Sequence, residues 1–204
     1  MQHIEAQRSA LLIIDMQVGA FTGPEPLWEG ERVLATINGL IERARDAGAP
    51  VFAARHTGPA GSLVAPGSPA VQLVAGLNVD AGRDHVFDKT RPSCFQGTSL
   101  GSELERLGID ELVIAGIKTQ YCVDTTCRAA AERGLAVVLV EDGHTCTDTP
   151  VLDAPRIVAH HNATLRGPFA RVLPAAEVRF PSRAPVVPAL AGRLGGDPST
   201  GAPP

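Results

Sequence analysis

Apolar segments of strand length alternate with helical patterns along this chain, and the alternation restricts the possible folds more than any other feature. The first segment is ALLIID, residues 10–15, a continuous apolar run that ends in a carboxylate. Such a run is typical of a central parallel strand that is buried on both faces. Further runs of this kind are VFAAR, HVFD, ELVIAG, LAVVLVED and ARVL.

Between these runs, apolar residues recur at spacings of three and four, which predicts amphipathic helices. We expect helices over residues 33–44, near 70–75, over 100–107, from Cys122 to Gly134 and over 152–165. Strands that alternate with helices predict right-handed crossovers, and therefore a three-layer α/β/α sandwich with a mainly parallel central sheet. This is an α/β fold with Rossmann-like topology.

The chain has 204 residues, which fits one such domain. We assign residues 1–180 to the domain. Residues 181–204 are rich in proline and glycine and carry no strong pattern, which predicts a tail.

Composition argues against several classes of partner. The net charge is −4 with both signs interleaved, so nothing in the sequence indicates a nucleic-acid surface. The apolar runs are too short to span a membrane, and the N-terminus does not resemble a signal peptide. We therefore expect a cytoplasmic protein whose four cysteines are free thiols. Its expected partner is a small molecule or another copy of the chain.

Three chemically matched residues come where predicted strands end: Asp15, Lys89 and Cys122. The ends of parallel strands share one edge of a sheet, so these side chains are expected to meet there. A thiol, a carboxylate and an ammonium suit nucleophilic acyl transfer. The predicted helix that starts near Cys122 should lower the pKa of its thiol and stabilise an oxyanion. Taken singly, each residue also has a plain structural explanation, such as core packing for the cysteine.

Five segments in order carry a family resemblance: LLIIDMQ, DKTRPSCFQGTSL, VIAGIKTQYCVDTTCRAAAERG, VVLVEDGHTCTD and IVAHHNATL. With them the chain resembles the isochorismatase-like cysteine hydrolase superfamily over residues 10–180. That superfamily includes nicotinamidases, N-carbamoylsarcosine amidohydrolases and streptothricin hydrolases. The resemblance implies an Asp15, Lys89 and Cys122 catalytic triad, a cis peptide bond between Ile117 and Lys118, and an oxyanion hole from the N–H groups of Lys118 and Cys122.

The resemblance also implies the reaction. Cys122 would attack an amide carbonyl, Asp15 would carry the proton to the leaving nitrogen, and water would hydrolyse the thioester. The resemblance further implies a homo-oligomer. Metal-dependent nicotinamidases carry an Asp-x-His motif and a further histidine after the second strand, where this chain reads AARHTGPAGS. We therefore expect no metal and no other cofactor.

Seven residues near the predicted strand ends are candidates for the substrate pocket: Gln17, Phe21, Trp28, His56, Gln120, Tyr121 and His144. Gln120 stands where the family often has an aspartate, which removes a charge near the site. The HTCTD and AHHN segments resemble the streptothricin hydrolases, so a cyclic amide or lactam is the preferred substrate. Two alternatives stay open: hydrolysis of a vinyl ether of the isochorismatase kind, and a catalytically silent binding or scaffolding protein.

Overall fold

The computed structural model describes residues 8–181, which form a six-stranded sheet in which every pair of neighbouring strands is parallel. The strands are β1 (Ser9–Ile14), β2 (Val51–His56), β3 (His85–Lys89), β4 (Glu111–Ile117), β5 (Ala136–Thr145) and β6 (Arg171–Leu173). Their spatial order is β3-β2-β1-β4-β5-β6. The predicted α/β sandwich is confirmed. Apart from Pro181, the predicted tail lies outside the described residues.

Five helices accompany the strands within residues 8–181: α1 (Val18–Phe21), α2 (Gly30–Asp46), α3 (Leu100–Leu107), α4 (Asp124–Glu132) and α5 (Ala154–Leu165). Side chains of β1 alternate between the two sheet faces, as a strand requires. Leu11 and Ile13 belong to the core cluster of α2, whereas Leu12 and Ile14 belong to the cluster of α3 and α4. Helices therefore cover both faces of the sheet. None of the helices in this part of the chain is both long and apolar enough to cross a bilayer.

Three local predictions differ from the structure. The helix expected near residues 70–75 is a single 3₁₀ turn, Pro69–Val71, whose proline restricts the backbone. The fifth strand continues beyond the predicted LAVVLVED as far as Thr145, through a register shift against β4. Cys122 does not start an α-helix, because a π-helical turn over Thr119–Val123 precedes α4.

The strand order reverses between β1 and β4, because β1 runs on to β2 and β3 on one side while β4 runs on to β5 and β6 on the other. In open parallel sheets, ligands bind outside the carboxyl ends of the strands at such a point. The topology therefore points to the segments that follow Ile14 and Ile117.

Candidate active site

A cavity of about 420 Å³ opens where the topology points, at the carboxyl ends of the central strands. It is lined by Asp15, Gln17, Gly19, Ala20, His56, Val64, Ala70, Pro92, Ile117, Lys118, Tyr121 and Cys122. Most of its wall is apolar, so the few polar groups on it stand out.

The buried side chain of Lys89 contacts two of the polar groups at the cavity wall. Its Nζ lies 3.0 Å from Asp15 Oδ2 and 3.2 Å from Cys122 Sγ. The lysine is 2% exposed, whereas the cysteine, at 8%, lines the cavity. Sequence positions 15, 89 and 122 thus meet at one point, with the sulfur on the accessible side.

Backbone geometry brings these groups together. Asp15 has a left-handed backbone with φ 55°, a conformation that aspartate adopts more readily than most residues. Next to it, Gly116 has φ 128°, and a Cβ there would collide with the Ile14 carbonyl oxygen. The close approach of β4 to β1 at this point therefore needs a glycine. The Ile117–Lys118 peptide bond that follows is cis.

The pKa of Cys122 differs from the sequence-based expectation. Burial, together with the charge of Asp15, raises the pKa of this thiol to about 12 even though Lys89 lowers it. The prediction of a lowered pKa is wrong, because desolvation and the adjacent carboxylate outweigh the lysine and the start of a helix. At rest, Cys122 is a neutral thiol.

Asp15 is suited to take the proton of that thiol. Burial raises the pKa of its carboxyl group, and Lys89 opposes the rise. Burial alone would lower the pKa of Lys89, but Asp15 and Cys122 outweigh it and the pKa is raised, so the lysine stays cationic. While Oδ2 faces the ammonium, the buried Oδ1 of Asp15 has no hydrogen-bond partner among residues 8–181. This oxygen is free to accept a proton.

Three potential metal ligands also lie together: Asp15, His56 and Cys122 each place one ligand atom within 4.8 Å of the others. Lys89 Nζ lies 3.0, 3.1 and 3.2 Å from Asp15 Oδ2, His56 Nδ1 and Cys122 Sγ respectively. The ammonium therefore already occupies the position of the cation that these groups would bind. The residues do not fit a metal unless Lys89 is removed.

Gln17 lines the cavity, but both ends of its amide are already hydrogen-bonded within the protein. Its Oε1 accepts from the His56 N–H at 2.8 Å, and its Nε2 donates to the carbonyl groups of His56 and Val71, each at 3.0 Å. The amide therefore fixes the end of β2 against the start of the loop after β1. It positions a neighbour and has no N–H donor left for a substrate.

Lys118 and Tyr121 also line the cavity. The Lys118 ammonium donates to Thr147 Oγ1 at 3.0 Å and lies 3.5 Å from Glu25 Oε2. Its carbonyl accepts from the N–H groups of Tyr121 and Val123. The oxyanion hole that the sequence indicates, built from the Lys118 and Cys122 N–H groups, stays a prediction.

The other four candidates lie outside the cavity lining. Phe21 packs against the core that contains α2, and Trp28 packs against Cys146 and α5. His144 is fully buried inside β5, and the buried Oε1 of Gln120 has no hydrogen-bond partner within the described residues. The structure thus places these four side chains outside the lining of this cavity. The direction in which the loops and β5 point these side chains cannot be read from the spacing of residues along the sequence.

Sequence reasoning in turn missed the apolar wall of the cavity. Val64, Ala70 and Pro92 line it from connecting segments. No motif marks them, since small apolar residues in a loop are also common where a loop packs on the core. The stretch after His56 is rich in glycine and proline, a composition that favours a long loop of the kind that often carries function.

Comparison with known proteins gives one consistent result. A family model described as "Isochorismatase domain" matches residues 9–177. The chain is 38% identical over 186 residues to a streptothricin hydrolase of Streptomyces noursei, a match that covers 91% of this chain and 66% of that relative. The chain thus spans slightly less than two thirds of that relative's length.

Two more distant matches agree. The chain is 29% identical over 147 residues to nicotinamidase 3 of Arabidopsis thaliana, covering 66% of this chain and 71% of that protein. An isochorismatase from Pseudomonas putida KT2440 has a solved structure that matches with a TM-score of 0.77 and 31% identity, covering 85% of this chain and 92% of that one.

Proposed function

The chain belongs to the isochorismatase family of hydrolases, and from this premise we propose that it is a cysteine hydrolase that cleaves a carbon–nitrogen amide-type bond of a small molecule. The observation that carries the proposal is the contact of one buried ammonium, that of Lys89, with both the Asp15 carboxylate and the Cys122 sulfur at a cavity wall. An attacking sulfur, a base and a cation are the groups that acyl transfer through a thioester needs.

The pKa values favour a definite order of proton transfers. Because Cys122 is a neutral thiol at rest, its proton passes to Asp15 as the sulfur attacks the carbonyl carbon. Asp15 then protonates the leaving nitrogen, and the carbon–nitrogen bond breaks to leave a thioester. Water attacks the thioester while Asp15 accepts its proton. The proton returns to the sulfur as the carboxylic acid departs.

Lys89 has a constant role in this scheme. Its positive charge favours the ionised form of Asp15 and of the sulfur. It therefore stabilises the site both before and after the proton moves from Cys122 to Asp15. We assign stabilisation of the oxyanion to the N–H groups of Lys118 and Cys122. The reaction needs no metal in this proposal, since the ammonium takes the place of a cation among Asp15, His56 and Cys122.

A cyclic amide or lactam is the substrate class we prefer, because the chain is similar to a streptothricin hydrolase over most of its length. The HTCTD and AHHN segments, which also suggested this class, do not line the cavity. The preference therefore depends on overall similarity and on a cavity that suits a compact, largely apolar ligand.

A hydrolysis screen of primary amides, N-carbamoyl compounds and lactams tests the proposal. We expect Cys122→Ala to lower turnover roughly 10⁴-fold or more. Cys94→Ala is the matched control, because Cys94 is a fully buried cysteine of the same core cluster. Mass spectrometry of the quenched enzyme should find the acyl group on Cys122. Full amide turnover by Cys122→Ala would exclude the thioester route.

Adding a vinyl ether substrate to the same screen separates the two alternatives. Hydrolysis of a vinyl ether needs protonation by Asp15 and no sulfur nucleophile, so that activity would survive in Cys122→Ala. A silent binding protein would hydrolyse no member of the screen, and a thiol-directed electrophile would not label Cys122 selectively.

We also propose that the protein forms a homo-oligomer. Two exposed side chains with large apolar surfaces support this: Tyr121, which lines the cavity and is 54% exposed, and Leu63, which is 88% exposed and adjoins the lining residue Val64. Sedimentation velocity would show a species larger than the 21.3 kDa chain, and a single monomeric species would contradict it.

A further inference from the structure

His56 occupies a fixed position at the cavity wall. It is the last residue of β2, and its register partner in β3 is Lys89. Gln17 binds both its N–H and its C=O, at 2.8 and 3.0 Å. Because the Gln17 side chain is itself buried, the backbone of His56 cannot follow movements of the loop that comes after it. The backbone that carries the imidazole ring is therefore fixed.

Lys89 determines which ring nitrogen of His56 carries the proton. Nδ1 lies 3.1 Å from Lys89 Nζ. An ammonium has only donors, so a proton on Nδ1 would face another N–H at that distance. Nδ1 must therefore present its lone pair, and the proton of a neutral ring lies on Nε2. Burial lowers the pKa of His56, and the charge of Lys89 lowers it further, so the ring is neutral near pH 7.

The Nε2–H group of His56 has no hydrogen-bond acceptor within the described residues. The contact with Lys89 is the only hydrogen bond of the His56 ring within residues 8–181, and the ring lines the cavity. Apart from Tyr121, which is 54% exposed, the other polar side chains of the lining are committed. Both N–H groups of the Gln17 amide are used, the Lys118 ammonium binds Thr147, and Asp15 and Cys122 are the reacting groups. The Nε2–H group of His56 is thus a donor of fixed direction at a largely apolar wall.

We propose that His56 determines substrate specificity by donating a hydrogen bond from Nε2–H to an acceptor on a neutral, compact amide or lactam. The inference rests on the proposed function for the identity of the reacting carbonyl. A ring nitrogen of His56 lies within 4.8 Å of the ligand atoms of Asp15 and Cys122. The acceptor therefore lies only a few bonds from the carbonyl carbon that Cys122 attacks.

Charge in the cavity restricts the class further. The Lys89 ammonium is neutralised by Asp15, and Lys118 lies 3.5 Å from Glu25. With His56 neutral, no uncompensated cation among the lining residues faces the ligand. A carboxylate on the substrate would lose hydration without gaining a partner, which is unfavourable in an apolar cavity. The site thus selects a neutral acceptor, such as an ether, hydroxyl or carbonyl oxygen.

A matched pair of lactams tests this assignment without turnover. Morpholin-3-one and piperidin-2-one have the same size, and only the first has a ring oxygen. We would titrate both into Cys122→Ala protein and measure dissociation constants by NMR. We expect morpholin-3-one to bind roughly 3-fold to 10-fold tighter, the usual effect of one hydrogen bond.

Two variants in the Cys122→Ala background identify the donor. His56→Leu should remove the preference for morpholin-3-one, whereas His56→Gln, which retains an N–H donor, should keep part of it. Circular dichroism checks that both variants are folded, and ¹⁵N NMR of the unsubstituted protein should show Nε2 protonated and Nδ1 unprotonated. Equal binding of the two lactams, binding of neither at millimolar concentration, a preference that survives in His56→Leu, or a proton on Nδ1 would each overturn the inference. Failure of the thioester route would leave these binding results unaffected, so the two proposals are tested separately.

Discussion

His144 and Asn162 form a buried hydrogen bond, with Nε2 of the imidazole 2.9 Å from the side-chain oxygen of the asparagine. The Asn162 amide donates from Nδ2 to the Glu141 carbonyl, which turns Oδ1 towards the ring as an acceptor. Nε2 therefore carries the proton, and Nδ1 accepts from Thr119 Oγ1 at 2.9 Å. Because Thr119 begins the π-helical turn that contains Cys122, this chain of hydrogen bonds stabilises the turn on which the nucleophile lies.

The first prediction concerns the pH dependence of stability that His144 causes. Burial lowers the pKa of His144 from 6.5 to about 4. Between these two pH values the unfolded chain binds more protons than the folded one, so the stabilisation is complete above pH 6.5 and is lost as the pH falls towards 4. Two and a half pKa units correspond to roughly 3 kcal/mol.

Urea denaturation from pH 7 to pH 4 measures this effect. His144→Gln should flatten the dependence of the unfolding free energy on pH, whereas His160→Gln, on the exposed face of α5, should leave it as in the original protein. The assignment to His144 fails if both variants follow the original curve.

The second prediction is that Asp15→Asn separates thiolate formation from turnover. The carboxylate raises the pKa of Cys122 and Lys89 lowers it, so removing the carboxylate should lower the thiol pKa. Turnover should nevertheless fall about 10²-fold to 10⁴-fold, because the general base is gone. An ultraviolet titration of the thiolate and steady-state rates measure the two effects.

Asp88→Asn is the matched control for this substitution. Asp88 lies one residue before Lys89 in β3, but it is exposed and pairs with Arg55 on the surface. Neither the thiol pKa nor turnover should change in this variant. A thiol pKa that rises in Asp15→Asn would contradict the arrangement described for the site.

The third prediction is that Lys89→Met creates a metal site. Removing the ammonium leaves Asp15, His56 and Cys122 as three adjacent ligands without their cation. We expect this variant to bind Zn²⁺ more tightly than the unsubstituted protein in calorimetry, and to lose hydrolysis. A chelator should not change the rate of the unsubstituted enzyme. Equal Zn²⁺ affinity, or inhibition by the chelator, would show that Lys89 is not the cation of the site.

The fourth prediction concerns Gly116. Gly116→Ala should destabilise the fold by roughly 2–6 kcal/mol, which combines backbone strain at φ 128° with overlap against Ile14. Gly39→Ala is the control, because no atom lies within 4 Å of the added methyl group in the interior of α2. That change should stabilise by about 0.5–1 kcal/mol. Similar unfolding free energies for the two variants would contradict the close contact of β4 with β1.

Much of the architecture was readable from the chain. Apolar runs that end in Asp15 or Lys89 predict parallel strands and the edge at which their ends meet, because both follow from local patterning and a common strand direction. Phe21 and Trp28 show the limit of this reasoning. Both lie between β1 and α2, Phe21 at the end of α1 and Trp28 just before α2, but the direction of each side chain depends on what this segment packs against.

Sequence by itself determined the layers of the fold and the three residue types that meet at the strand ends. Only the tertiary structure decided their chemical state. The high pKa of Cys122, the neutral ring of His56 and the burial of His144 depend on desolvation and on charges a few ångströms away, which come from segments distant in the chain. Linear spacing carries no information about such distances until the sheet and its loops have packed.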